Sequence, residues 1–230
     1  MFDKNLRSQV EQRLRPVGAN LNRTGLSADH LTALGVLMAV GASVAIANGA
    51  LRAGLLLLVL TAVPDVLDGA VAKASGSASP RGAFFDSVAD RFTDALLLGG
   101  VAWFLATTQP GRVAVLPLAV LGLSMLISYE RAKAESLGYD ARGGVMERAE
   151  RLIALGFGIL FDSLLVVTLW VMLVLTAFTA VQRFVNVWRQ ASAPAPASVT
   201  ASQRWRARRA ARTTERVKVR RERWASRTRR

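Results

Sequence analysis

The sequence predicts an all-α integral membrane protein with about six transmembrane helices. Apolar residues make up 52% of its 230 residues, and they come in long runs rather than scattered. A bilayer-spanning helix needs about 20 mostly apolar residues, and lipid tolerates only helices or closed barrels. The runs show no strand-like alternation of apolar and polar residues. The predicted spans are 31–50, 52–72, 83–107, 113–130, 148–161 and 163–188.

Positive charge in the connections between these spans predicts their orientation. The first and third connections contain one cation each, Arg52 and Arg112, and the fifth contains only Asp162. The amino end and the second and fourth connections hold most of the remaining Lys and Arg. By the positive-inside rule, we expect a multi-pass protein of the cell (inner) membrane with both termini and the active site in the cytoplasm. The absence of cysteine excludes disulfides.

Residues 1–22 are predicted to form an interfacial amphipathic helix. Leu6, Val10, Leu14 and Val17 recur at spacings of four and three, which places one apolar stripe on an otherwise charged helix. Such a stripe suits a helix that lies in the lipid headgroup layer. Packing of the same stripe against a partner helix is the alternative.

Residues 23–190 form the predicted six-helix membrane domain, and residues 191–230 form a basic, disordered cytoplasmic tail. The tail contains 13 Arg and Lys residues against two Glu, so it carries +11 of the net charge of +14. A block of like charge this dense is typical of a segment that is attracted to anionic membrane lipids. Nucleic-acid binding is disfavoured because no recognised nucleic-acid module accompanies the charge.

Five aspartates interrupt the apolar sequence around the connection between the second and third spans. Asp65 and Asp68 are three residues apart, whereas Asp86, Asp90 and Asp94 follow one another at intervals of four. Each set therefore shares one face of a helix. Two carboxylates ~6 Å apart repel each other by roughly 3 kcal/mol at an effective dielectric constant of ~20. Protonation, salt bridges or bound cations could relieve this repulsion.

Bound divalent cations are the favoured explanation, and a purely structural ion-pair cluster is the alternative. Salt bridges have only two nearby candidates, Lys73 and Arg91, whereas two divalent cations would balance four carboxylates. Carboxylate oxygens suit Mg²⁺, or Mn²⁺ in its place, and only His30 is available to a softer metal. The predicted metal ligands are Asp65, Asp68, Asp86 and Asp90.

The spacing D-x2-D-G-x2-A-K-x8-G-x3-D-x3-D resembles the signature of the CDP-alcohol phosphotransferase family, with Lys73 where the family has Arg. The stretch "LSADHLT" is similar to the segment that enters the family's first helix. The resemblance implies a homodimer that transfers the phosphatidyl group of CDP-diacylglycerol to an alcohol and releases CMP. It also implies two metals on the diphosphate and Asp90 as general base. The implied CDP-diacylglycerol contacts are Asp29, Asp68, Gly69, Ala72, Lys73, Ser79 and Gly82.

A group of basic residues indicates that the acceptor carries a phosphate as well. Ordinary positive-inside charge is the alternative explanation. The stretches "ISYERAKAESLG" and "GGVMERAERLIALG" resemble those of the family's actinobacterial phosphatidylinositol-phosphate synthases, whose acceptor is inositol 1-phosphate. A phosphatidylglycerophosphate synthase, with glycerol 3-phosphate as acceptor, is the close alternative. The implied inositol-phosphate contacts are Ser128, Arg131, Lys133, Arg148, Arg151 and Arg183.

Two other classes of membrane protein would also place aspartates in membrane helices. A membrane prenyltransferase with Asp-rich helices would release pyrophosphate instead of CMP. A cation transporter would show ion flux without any lipid donor. Neither class accounts for the basic residues, so both are disfavoured.

Overall fold

The structure, a computed structural model, describes residues 27–62 and 79–192. Within these ranges it is all-helical and contains no strand, which confirms the predicted all-α class. The chain divides into one compact unit that ends at Trp188 and a second unit from Arg189 onward, of which only 189–192 are described. The helices are α1 (Ala28–Ala47), α2 (Leu51–Ala62), α3 (Pro80–Thr108), α4 (Val115–Ser136), α5 (Arg148–Leu160) and α6 (Leu165–Ser192), with a 3₁₀ turn at Asp162–Leu164 before α6.

Three segments are long and apolar enough to cross a membrane among the described residues: α1, α4 and Asp162–Ser192. Helix α2 is apolar but shorter in the described range. Helix α3 has 29 residues and carries charged side chains along its first half. Helix α5 has 13 residues, a length of about 20 Å. The structure thus shows several membrane-length apolar helices, and the count of six spans stays a prediction. The predicted 1–22 helix and residues 193–230 of the tail lie outside the described residues.

Serine side chains set the starts of α1 and α3. The Ser27 hydroxyl accepts a hydrogen bond from the backbone N–H of His30, and His30 Nδ1 accepts one from the backbone N–H of Ser27, both at 3.3 Å. The Ser79 hydroxyl accepts a hydrogen bond from the backbone N–H of Gly82 at 3.1 Å, and Pro80 occupies the first helical position. Both serines satisfy N–H groups that have no partner within the helix.

Helix α4 continues beyond its predicted end at residue 130. It ends at Ser136, so Arg131 and Lys133 lie on its last two turns. The apolar pattern that identified the span ended before the helix did, because helix formation does not require apolar residues once a segment leaves the lipid.

Helices α1 and α3 run parallel in close contact. The Ser43 hydroxyl of α1 donates a hydrogen bond to the Leu96 carbonyl of α3 at 2.7 Å. A Cβ atom at Gly100 would lie 2.7 Å from the Ser43 carbonyl oxygen, so only glycine allows this approach. Near the other end of the pair, Gly82 lies beside Asp29. The amino ends of the two helices therefore lie side by side.

Helix α5 runs parallel to α3, and α6 runs antiparallel to α5. Arg148 and Arg151 of α5 contact Asp90 and Asp94 of α3 in the same order along both helices. The carboxyl half of α6 returns to this end, where Thr179 accepts a hydrogen bond from the backbone N–H of Met146 at 3.1 Å. Arg183 of α6 also donates a hydrogen bond to the Ile127 carbonyl of α4. The amino ends of α1, α3 and α5 and the carboxyl halves of α4 and α6 therefore meet, and we call this the charged end.

Candidate active site

The aspartates of α3 become more deeply buried along the helix. Asp86, Asp90 and Asp94 lie one turn apart on one face, as their spacing predicts. Asp86 and Asp90 are half-buried, whereas only 5% of the Asp94 side chain is exposed. The acidic face therefore runs from the open part of the charged end into the interior.

Arg148, the first residue of α5, connects two of these aspartates. Its Nη1 lies 2.9 Å from Asp90 Oδ1, and its Nε lies 3.7 Å from Asp94 Oδ1. The other Asp90 oxygen, Oδ2, lies 3.3 Å from Nη1 of Arg91. The predicted general base is therefore fixed between two guanidinium groups.

Arg151 lies one turn deeper and is buried. Its Nη2 donates to Asp94 Oδ2 at 2.9 Å, and its Nη1 donates to the Met146 carbonyl at 3.3 Å. The expectation that only Lys73 and Arg91 could form salt bridges with the aspartates was therefore wrong, because α5 supplies Arg148 and Arg151 as well. The sequence did not reveal these pairs because the partners are more than 50 residues apart and meet only through helix packing.

Arg183 of α6 anchors the connection between α4 and α5. Its Nη1 donates to the Ile127 carbonyl and its Nη2 to the Gly143 carbonyl, each at 2.9 Å. Nη2 also lies 3.5 Å from Glu147 Oε1. Its Nε is buried and has no hydrogen-bond partner within 27–62 and 79–192.

The remaining predicted acceptor residues lie along α4 at the charged end. Arg131 Nε contacts Glu135 Oε1 at 3.0 Å in an exposed i,i+4 pair, and Lys133 is exposed. The Ser128 hydroxyl donates to the Ser124 carbonyl at 2.9 Å. The structure thus places Ser128, Arg131 and Lys133 at the same end of the bundle as Arg148 and Arg183.

The predicted nucleotide contacts that are described gather at the amino ends of α1 and α3. A Cβ at Gly82 would lie 3.7 Å from Asp29 Oδ1 and 3.4 Å from the Ser79 hydroxyl oxygen. Asp29 Oδ2 lies 3.7 Å from Arg81 Nη2, in an exposed ion pair. The predicted site residues that lie outside the described ranges are Asp65, Asp68, Gly69, Ala72 and Lys73.

Asp86 and Asp90 have the chemistry of ligands for a divalent cation. They are half-buried carboxylates on one helix face, and hard oxygen donors suit Mg²⁺ or Mn²⁺. Each oxygen of Asp90 that contacts a guanidinium group keeps a second lone-pair direction. Among the described residues, no group of three His, Cys, Asp or Glu is placed to hold a metal ion. The described carboxylates Asp86 and Asp90 therefore fit part of a metal site.

Comparison with known proteins identifies the family. The model of the CDP-alcohol phosphatidyltransferase family matches residues 26–182, which include every described helix except the end of α6. The chain belongs to this family. It is therefore a membrane-associated transferase enzyme, as its sequence predicts.

Relatives within the family act in inositol-lipid synthesis according to their names. The chain is 38% identical to an archaetidylinositol phosphate synthase of Methanothermobacter thermautotrophicus over 74% of its length and 87% of the relative's. It is 34% identical to the phosphatidylinositol phosphate synthase of Mycobacterium marinum over 75% of its length and 78% of that protein's. The resemblance to actinobacterial members of this family is confirmed.

Solved structures of a relative share the fold. The phosphatidylinositol phosphate synthase of Mycobacterium tuberculosis with CDP-DAG bound superposes with a TM-score of 0.71 at 34% identity, over 76% of this chain and 93% of that one. The same enzyme in complex with manganese and citrate also gives a TM-score of 0.71, over 76% of this chain and 88% of that one. This CDP-alcohol phosphatidyltransferase fold is therefore common to both proteins.

Proposed function

We propose that this enzyme transfers the phosphatidyl group of CDP-diacylglycerol to inositol 1-phosphate, giving phosphatidylinositol phosphate and CMP. The observation that carries the proposal is the contact between the acidic face of α3 and the arginines of α5, at the same end of the bundle as Arg183. Arg148 contacts Asp90 at 2.9 Å, so a group that binds phosphate lies beside the proposed base. An acceptor phosphate held there would place its hydroxyl near Asp90.

The relatives' names support the acceptor more strongly than the donor lipid. The archaeal and the mycobacterial relatives differ in the lipid part of their names and share inositol phosphate. A basic site for a second phosphate is the structural feature that such an acceptor needs. The CDP-diacylglycerol donor is supported by the relative's structure with CDP-DAG bound.

In the proposed reaction, Asp90 accepts the proton of the inositol hydroxyl, and the hydroxyl oxygen attacks the β-phosphorus of the donor. A new oxygen–phosphorus bond forms as the bond to the CMP oxygen breaks, and CMP leaves with the electron pair. Arg148 and Arg183, together with Ser128, Arg131, Lys133 and Arg151, hold the acceptor. The cytidine part lies against Asp29, Ser79 and Gly82, with Asp68, Gly69, Ala72 and Lys73 completing its site.

Two divalent cations are proposed to bind Asp65, Asp68, Asp86 and Asp90. When bound, they supply positive charge that neutralises the diphosphate and its leaving group. Mg²⁺ is the proposed ion, and manganese in the relative's structure supports a hard divalent metal. Asp90 then serves both a metal and the acceptor hydroxyl.

We further propose six membrane spans, with residues 1–22 as an interfacial helix, 23–190 as the membrane domain and 191–230 as a cytoplasmic tail on anionic lipid. The helix directions support this arrangement, since α1, α3 and α5 begin at the charged end and α4 and α6 end there. The charged end would face the cytoplasm at the cell (inner) membrane. The enzyme would act as a homodimer, as its sequence resemblance implies.

Release of CMP tests the function. The full-length protein in detergent would receive CDP-diacylglycerol and Mg²⁺ with inositol 1-phosphate, free inositol or glycerol 3-phosphate in parallel. We expect release with inositol 1-phosphate alone. Release with glycerol 3-phosphate alone would retain the reaction class and overturn the acceptor, and a folded protein that releases no CMP with any acceptor would overturn the proposed function. Asp90→Asn should abolish release, whereas the exposed Asp162→Asn at the opposite end should leave it unchanged.

A further inference from the structure

We propose that Asp94 is a positioning residue, whose carboxylate orients the guanidinium groups of Arg148 and Arg151 for the acceptor phosphate. The inference rests on the proposed function, because it concerns the acceptor part of that site. Asp94 itself would not contact substrate.

One carboxylate contacts both arginines. Asp94 Oδ2 accepts a hydrogen bond from Arg151 Nη2 at 2.9 Å, while Asp94 Oδ1 lies 3.7 Å from Arg148 Nε. Arg148 is thus held between Asp94 and Asp90, which it contacts at 2.9 Å through Nη1. Two carboxylates one turn apart therefore flank one guanidinium group, Asp90 at 2.9 Å and Asp94 through a charge contact of 3.7 Å that is longer than a hydrogen bond.

The burial of Asp94 separates it from the reacting groups. Its side chain is 5% exposed, against 19% for Asp90 and 21% for Arg148. Apolar side chains line the small cavity beside the pair with Arg151. These are Leu97, Leu98, Leu152, Leu155 and Met172.

Apolar surroundings strengthen the coupling between Asp94 and its arginines. Water screens such a contact poorly, so the carboxylate acts strongly on both guanidinium groups. Loss of its charge would leave Arg151 buried without a compensating anion. Arg148 would then lose its contact with Asp94 and keep the one with Asp90, so the orientation of its guanidinium group would change. The acceptor phosphate would then lose a correctly oriented guanidinium group, whereas the residues of the donor site would stay in place.

Asp94→Asn tests this role, because the amide keeps the size of the side chain and removes its charge. Steady-state kinetics of the full-length enzyme would give kcat and the KM of both substrates, and thermal unfolding would report stability. We expect the KM for inositol 1-phosphate to rise about tenfold, the effect of one charge-assisted hydrogen bond. The KM for CDP-diacylglycerol should change by less than about twofold. The matched control is Asp162→Asn.

Asp94→Glu keeps the test decisive if Asp94→Asn does not fold. It restores the negative charge with one additional methylene. The acceptor KM of Asp94→Glu should therefore lie between the values of the wild type and of Asp94→Asn. If Asp94→Asn is unfolded, the expectation is that the acceptor KM of Asp94→Glu exceeds that of the wild type. An acceptor KM that stays unchanged or falls, or a lower melting temperature with unchanged kinetics, would overturn the positioning role. A folded wild type that releases no CMP with any acceptor would overturn the proposed function itself.

Discussion

At the scale of single residues, Arg148 lies between Asp90, the proposed general base, and Asp94, the proposed positioning residue. Its guanidinium contacts Asp90 and approaches Asp94 from different nitrogens. Lysine would keep the charge but offers one ammonium group, which cannot bridge both carboxylates in the same plane. We expect Arg148→Lys to lower kcat/KM for the acceptor by about tenfold, measured by CMP release. Arg112→Lys, at the opposite end, is the matched control, and equal activity of the two variants would contradict the bridging role.

Residue spacing predicted which aspartates share a face, but it did not predict what they contact. The i,i+4 series from Asp86 to Asp94 follows directly from helix geometry. The pair of Asp94 with Arg151 joins residues 57 apart in sequence, so it depends on how α3 and α5 pack. The one available signal was that Arg148 and Arg151 are three residues apart and share a face too. Two complementary faces at one end of a bundle could have suggested the pairing.

At the scale of helices, adjacent glycines of α3 allow a direct test of packing. A Cβ at Gly100 would lie within 3.0 Å of three Ser43 atoms, whereas a Cβ at Gly99 would meet nothing within 4 Å. Gly100→Ala should therefore separate α1 from α3 and destabilise the protein by about 1–3 kcal/mol. Gly99→Ala should be neutral or stabilising by up to ~1 kcal/mol. Thermal unfolding in detergent measures both, and equal melting temperatures would show that α1 and α3 do not pack as described.

The connection between α4 and α5 depends on its own contact with α6. Gly144 has a φ of +155°, and a Cβ there would overlap Cγ2 of Thr179. Gly144→Ala should displace the segment that gives Arg183 its Gly143 acceptor and Thr179 its Met146 donor. We expect a lower melting temperature together with a raised acceptor KM.

Gly138→Ala is the control for this segment. It also has a positive φ, +84°, but its Cβ would meet nothing within 4 Å. It therefore reports the backbone strain alone, and the difference between the variants isolates the contact with α6. If Gly138→Ala were as damaging as Gly144→Ala, backbone strain would account for the whole effect.

At the scale of the whole molecule, the helix order follows from apolar runs, whereas the position of the site follows from helix direction. Runs of apolar residues predicted all six described helices, and most of the predicted helix ends lie within a few residues of the observed ones. They carry no information about which ends meet, because each run is symmetric with respect to direction. The contacts of Asp29 with Gly82, Arg148 with Asp90 and Met146 with Thr179 settle that point for the described helices.

The proposed membrane orientation can be tested in a chain that contains no cysteine. Single cysteines at the exposed positions Gln109, Ser136 and Ser163 would be labelled with a membrane-impermeant maleimide in right-side-out and inverted vesicles. Ser136 lies at the charged end, whose Lys and Arg favour the cytoplasm, so Ser136→Cys should react only in inverted vesicles. Gln109→Cys and Ser163→Cys lie at the opposite end and should react only in right-side-out ones. The reverse pattern would invert the orientation but retain the spans, whereas labelling of all three from one side would exclude the proposed crossings by α4, between Gln109 and Ser136, and by α5, between Ser136 and Ser163.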